Sequence, residues 1–475
     1  MKPWLKYAIP IATGIGIYII PTPEDLTSDA WAYLAIFIGT IAALILEPLP
    51  AAFCGLISVI LIVILKLVAL HPGVEVITPK IALEWGLSGF QNGTVWLIFT
   101  AYIFSLGYQK TGLGRRISLY LIKWLGGHSL GLSYAIAFAD LLLAPFVPSN
   151  TARSGGIIYP IVSNIPTMYN SSCENNPRKI GSFLYWTGIT TTCVTSSMFM
   201  TGLAPNLLAI SIIERTASIT ISWSDWFIGF APVGLLLFFS TPWINYLLYP
   251  PTQKQSKEMP QWASEQIKTL GALSRSEIYM LLLASLALIL WIAGGSLLTA
   301  TGTSLVILCL MVLTGIVSWQ DVIGHKQAWN VFIWFATLVT LAGGLTQTGI
   351  LTWLSGNLEG IVVGQYPTIS LIVCFFLLHY FFASITAHVT ALLPVFVMLA
   401  MITPGVSIQQ TSMMFCFLLG IMGIITPYAT GPSPIWYGSG FLPAKNFWIL
   451  GAVMGGIYLA VLLLVGLPWL NFIYG

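Results

Sequence analysis

The sequence predicts an all-α, polytopic membrane protein: about eleven transmembrane helices and two re-entrant hairpins in an inverted-topology repeat. Three observations predict it. Only 7% of the 475 residues are charged and 57% are hydrophobic, whereas a soluble domain carries about 25% charged residues. Apolar runs long enough to cross about 30 Å of hydrocarbon recur from end to end. They lack the alternating rhythm of outer-membrane strands, so the spans are helices. Finally, a polar motif occurs twice at matching places, as "PSNTARSGG" (148–156) and "ASITAHVTA" (383–391).

The spans, in order, are 5–20, 31–46, 51–70, 88–109, 181–214, 226–248, 277–294, 302–318, 329–346, 411–441 and 448–470. The first follows Lys2 and Lys6 and shows no small-residue cleavage site, which reads as a retained helix. Two further apolar stretches, 129–166 and 366–402, are interrupted by the paired motifs. Each is expected to turn back on itself, because irregular backbone at membrane depth needs protein or a wet cavity around it. With the N-terminus in the cytoplasm, all of the 18 Lys and Arg residues except Lys66, Lys80, Arg153 and Arg215 fall on the cytoplasmic side, as the positive-inside rule asks. The polar segment 249–276 then reads as a cytoplasmic linker. It separates repeat one (31–248, after an extra N-terminal helix in 1–30) from repeat two (277–475). The halves echo each other: "TVWLIFTAYIFSLGYQKTGL" (94–113) resembles "NVFIWFATLVTLAGGLTQTGI" (330–350), and "TGLAP" (201–205) matches "TGPSP" (430–434).

The motifs suggest a ligand site. Ser149, Asn150, Thr151, Ser384 and Thr386 offer donors and acceptors at membrane depth, and helix ends at a hairpin tip present N–H groups to anions. Each tip is followed by a potential cation, Arg153 or His388. The plainer reading of the first pair is structural, with Arg153 neutralised by Asp140, since a lone charge there is costly. The TGxxP segments break apolar helices at equivalent places, because proline frees a carbonyl and glycine permits unwinding. Thr201, Gly202, Thr430, Gly431 and Pro432 are therefore expected to face the tips. Asn206 would add an amide to the first half, where Ile435 stands in the second. His379 reads as a packed histidine, and His71, His128 and His325 fall near span ends. The six cysteines show no metal-ligand spacing and read mostly as small core residues. No nucleophile elbow, zinc-protease or nucleotide-binding motif is present, so no enzyme and no metal or other cofactor is expected. A net charge of +3 gives no reason to expect nucleic acid.

"SNTAR" and "SITAH" at the tips, "LEPLP" (46–50), "GLGRR" (112–116) and "TPYATGP" (426–432) resemble the divalent-anion/sodium symporter family. The similarity lies with its bacterial exchanger branch: the 2-oxoglutarate/malate, citrate/succinate and tartrate/succinate translocators. The resemblance runs from about residue 5 to 470. It implies a homodimer in a bacterial inner membrane, a scaffold domain, and a transport domain that slides like an elevator with its dicarboxylate. In the sodium-coupled branch both tips read Ser-Asn-Thr beside bound sodium. Asn150 and Thr151 match the first tip and Ser384 and Thr386 the second, while Ile385 departs from it. The resemblance thus casts Arg153 and, when protonated, His388 as fixed cations replacing sodium. Moving an uncompensated cation through the membrane costs several kcal/mol, so built-in charge argues for obligatory exchange. A sodium-coupled dicarboxylate symporter is the alternative.

Overall fold

The computed structural model describes residues 3–71, 73–295, 297–358 and 366–475, and every regular element among them is helical. Ser28–Leu46, Trp223–Leu248, Arg275–Ala293, Lys326–Gln347, Ile385–Ile402 and Ala444–Tyr474 are long and apolar enough to cross a membrane. Shorter apolar helices, such as Ala51–Leu65 and Ser129–Leu143, lie among them. Their outer faces expose large apolar residues such as Ile60, Leu61, Ile64, Leu281, Leu282 and Ile289. So much exposed apolar surface is untenable in water but ordinary in lipid. Polar residues mark where spans begin: Thr27 and Thr299 cap their helices, and Ser222 and Ser274 form capping boxes with Asp225 and Glu277, satisfying N–H groups that the first turn leaves free.

The first interrupted stretch is a hairpin. Its descending arm is Ser129–Leu143, and its return begins as a π-helix, Thr151–Ile158, followed by Tyr159–Val162 and Ile165–Met168. Both ends meet the same strip of chain: the Ser129 amide donates to the Lys254 carbonyl, while the Thr252 and Gln253 amides donate to the Arg178 and Lys179 carbonyls. The stretch therefore leaves on the side it entered. The second hairpin pairs Pro367–Leu378 with Ile385–Ile402, Phe375 meeting Phe396 edge-on at 5.2 Å. The TGxxP segments break helices as expected. Gly181–Met198, buried along its whole length, gives way to a tight turn at 200–202 before Ala204–Ala217. Ile408–Ile421 ends in irregular chain that resumes as Ser433–Gly438.

The segment 249–276 is more than a polar linker. It holds an amphipathic helix, Glu258–Leu270, whose Met259 and Ala263 are buried. That helix lies along a second amphipathic helix, Leu113–Leu125, which the run of basic residues there had concealed. Apolar positions three and four apart, from Met259 through Trp262, Ala263 and Ile267 to Leu270, are the period of one helical face.

Candidate substrate site at the hairpin tips

The first tip sits between both helix breaks. On its own half, the Ala204 amide donates to the Pro148 carbonyl at 2.8 Å and the Thr201 hydroxyl to the Pro145 carbonyl at 2.6 Å. Toward the other half, the Asn150 amide donates to the Thr430 hydroxyl at 2.8 Å. Gly431 lies against Thr151 so closely that a Cβ there would stand 2.0 Å from the Thr151 hydroxyl, so glycine is required by space. Ser149 and Asn150 are buried and Thr151 is half-buried. The structure thus brings Ser149, Asn150, Thr151, Thr201, Gly202, Thr430 and Gly431 together, with buried Pro432 just beyond.

Arg153 is fully buried one turn past this tip. Its Nε pairs with Asp140 Oδ2 at 3.1 Å, Nη1 donates to the carbonyls of Val147 at 2.8 Å and Gly202 at 2.7 Å, and Nη2 donates to the Ser196 hydroxyl at 3.0 Å. Asp140 also accepts from the hydroxyls of Thr192 and Thr195. The pair is satisfied on both sides, as burial demands. Asn206 does not reach the tip. Its amide donates to the carbonyls of Ser196 at 2.8 Å and Phe199 at 3.2 Å, closing the open end of Gly181–Met198.

The second tip is built differently. Ser384 caps Ile385–Ile402, its hydroxyl accepting from the Ala387 amide at 3.4 Å. Ile385 and Thr386 are buried. His388, expected as the second fixed cation, lies in a box of rings: Phe375 at 4.4 Å, His379 at 5.0 Å and Phe382 at 5.1 Å. Neither of its nitrogens has a hydrogen-bond partner. Among the described residues this ring forms neither an ion pair nor a hydrogen bond, whereas Arg153 at the matching place has Asp140. His379 is buried as expected and holds the Ala429 carbonyl through Nε2 at 3.0 Å, next to Thr430. Among the described residues no hydrogen bond joins Ser384 or Thr386 to the first tip.

One contact escaped the sequence reading. The Trp436 indole donates to the Ser154 hydroxyl at 2.9 Å, and its ring lies against Gly188, clamping the first hairpin to the second break. Tyr102 is buried on helix Gly93–Thr111. Ser154 stands inside the quoted motif, but nothing in the pattern singles out Trp436. Among the described residues no cluster of three or more His, Cys, Asp or Glu could hold a metal ion.

A model of the family described as "Sodium:sulfate symporter transmembrane region" matches residues 1–474. L-tartrate/succinate antiporters of Escherichia coli (strain K12) and Shigella sonnei (strain Ss046) are each 44% identical over 482 residues, covering 99% of this chain and 99% of theirs. Among solved structures, the Alcanivorax borkumensis YdaH transporter aligns at TM-score 0.57 and 16% identity, covering 89% of this chain and 97% of its own. Neisseria gonorrhoeae MtrF aligns at 0.56 and 13%, covering 88% and 94%. At those identities the likeness shows a shared helical transporter fold. With the whole-length match and the close relatives, this chain belongs to the divalent anion/sodium symporter family.

Proposed function

We propose that the protein is a secondary transporter that exchanges dicarboxylates across a bacterial inner membrane by an elevator motion, without sodium, as a homodimer whose N-terminus is cytoplasmic. The observation that carries the reading is the position of Arg153. Its guanidinium takes up the Val147 carbonyl of the tip and the Gly202 carbonyl of the break, oxygens of the kind a bound alkali cation would need. A cation that cannot leave with the substrate ties the return journey to a second anion. The tip groups of Ser149, Asn150 and Thr151, with Thr201, Gly202, Thr430, Gly431 and Pro432, would hold one end of the substrate. Ser384 and Thr386 would hold the other. The similarity to L-tartrate/succinate antiporters favours C4 dicarboxylates, with 2-oxoglutarate, malate and citrate as further candidates.

One observation favours the sodium-coupled alternative. Asp140 neutralises Arg153, so the dianion's charge is not fully met by the protein. Counterflow in proteoliposomes separates the readings. Labelled succinate uptake is expected to require internal succinate or tartrate and to survive replacement of sodium by choline. Uptake into liposomes without internal substrate that stops in choline would establish the symporter instead.

A further inference from the structure

The first hairpin borders a cavity of about 700 Å³ beside the segment 249–276, a volume in the range of small-molecule sites. The end of Gly93–Thr111 brings Gln109 to its wall, the helix Leu113–Leu125 brings Arg115, and the return arm of the hairpin brings Gly156 and Asn164. The linker helix Glu258–Leu270 closes over it with Trp262 and Gln266, four apart and so on one face. The cavity reaches toward the substrate site. Gly156 is exposed, and a Cβ added there would meet nothing within 4 Å. The i→i+5 bonding of a π-helix sets Gly156 one turn from Thr151 at the first tip.

Among the described residues Arg115 is the one charged group in the lining, and it forms no ion pair. Its Nη2 donates to Gln266 Oε1 at 3.1 Å, a neutral oxygen that leaves the charge uncancelled. Its neighbour Arg116 is the reverse, buried and paired with Glu277. The carboxylates of the linker helix are placed elsewhere: Glu258 accepts from the Tyr169 hydroxyl at 3.0 Å, and Glu265 stands outside the lining. The walls thus offer one cation, the amides of Gln109, Asn164 and Gln266, and no acid. Such a surface attracts a small anion with several acceptor oxygens, and low-dielectric walls focus the field and raise the local concentration of opposite charge. Arg115 is itself exposed, so its hold on an anion is weak. Weak holding suits a group that must pass its anion on, because a site that binds too tightly traps what it should conduct.

We infer that this cavity is a staging site for the dicarboxylate on its cytoplasmic route, where Arg115 captures the dianion ahead of the tips. The anion takes the place of Gln266 as partner of the guanidinium, and the linker helix roofs the route. A capture residue acts on the encounter and not on the crossing. Its loss therefore changes association and salt dependence at one face of the membrane and spares the maximal rate. The inference rests on the dicarboxylate reading above and on the cytoplasmic placement of the linker.

The test measures saturation from each face separately. Labelled succinate exchange is followed in right-side-out and inverted membrane vesicles containing the full-length protein, loaded with saturating unlabelled succinate, and the signal of vesicles lacking the protein is subtracted. In inverted vesicles Arg115→Gln is expected to raise KM several-fold with the maximal rate kept, and higher ionic strength should move the wild-type KM toward that of the variant. In right-side-out vesicles KM should be unchanged. Arg115→Lys, which keeps the charge, should restore most of the wild-type KM. Lys123→Gln, on the same helix but outside the lining, should match wild type at both faces. Gln266→Glu sets a carboxylate against Arg115 without altering it and should raise the same KM, which keeps the test open if Arg115→Gln does not fold. An unchanged KM in inverted vesicles for folded Arg115→Gln, or for Gln266→Glu, overturns the inference and leaves the dicarboxylate reading standing. A rise at both faces, or at the outer face alone, also overturns it. Wild-type vesicles that exchange neither succinate nor L-tartrate remove the dicarboxylate reading and the inference with it.

Discussion

Arg153 shows how a residue's chemistry is set by what surrounds it. A guanidinium has five donors and no acceptor, and here they reach a carboxylate, two carbonyls and the Ser196 hydroxyl. Removing one partner of a buried ion pair costs about 3–5 kcal/mol, because the other charge stays behind. Asp140→Asn is therefore expected to lower thermal stability in detergent strongly. Asp140→Asn with Arg153→Met should lose less than the sum of the two single variants. Arg153→Lys should fold but lose exchange, since one ammonium cannot bridge the Val147 carbonyl, the Gly202 carbonyl and Asp140 together. Wild-type exchange in Arg153→Lys would show that holding the tip to the break is not required.

At the scale of the element, the ends of helices carry the chemistry that their apolar middles cannot. The return of the first hairpin is a π-helix, a form that concentrates at functional sites. The wider turn runs through Gly155, where a Cβ would stand 2.4 Å from Ile435 Cδ1, so packing against the second half bears on it. The span Lys326–Gln347 is capped by a histidine: His325 Nδ1 accepts from the Ala328 amide at 3.0 Å. Only the neutral ring has that lone pair, and burial holds His325 below its ordinary value of 6.5. A histidine lowered on folding contributes stability that is present above its unfolded value and is lost as pH falls through the folded one. Such a cap is worth about 1 kcal/mol at most at a half-buried site. Melting temperature measured at about pH 7.5 and about pH 5, on either side of the histidine range, should fall further for wild type than for His325→Asn, which caps without titrating. Equal falls would show that His325 contributes no titrating cap.

Across the whole molecule, the segment between the repeats acts as a clasp. Arg116, on Leu113–Leu125, pairs with Glu277 at 2.6 Å and donates to the Gly271 carbonyl at 2.9 Å. It thereby closes the end of the linker helix and pins it to the start of Arg275–Ala293. Both side chains are only 5% exposed, so breaking the pair from one side should cost about 3 kcal/mol. Arg116→Ala and Glu277→Gln should each lower the melting temperature, and together they should cost little more than either alone. Additive losses in that cycle would mean the two side chains act separately. The clasp joins a helix beside the first hairpin to a span of the second half, so it constrains any motion of one against the other.

What the sequence determined by itself follows from signals that lie along the chain. Composition named the solvent, run length named the spans, and the repeated Ser-x-Thr-Ala-cation pattern located the tips, because each needs only neighbouring residues to be read. The tertiary structure decided how those parts meet. Asn150 finds Thr430 across 280 positions, and Thr151 fits Gly431 only because the first hairpin docks on the second half. Arg153 and His388 occupy matching places in the motif, yet one is answered by Asp140 and the other faces Phe375, partners 13 residues upstream that the motif does not include. Whether a buried group keeps its charge depends on the dipoles and counter-charges within a few ångströms of it. In this fold those come from helices that the local sequence of either tip does not contain.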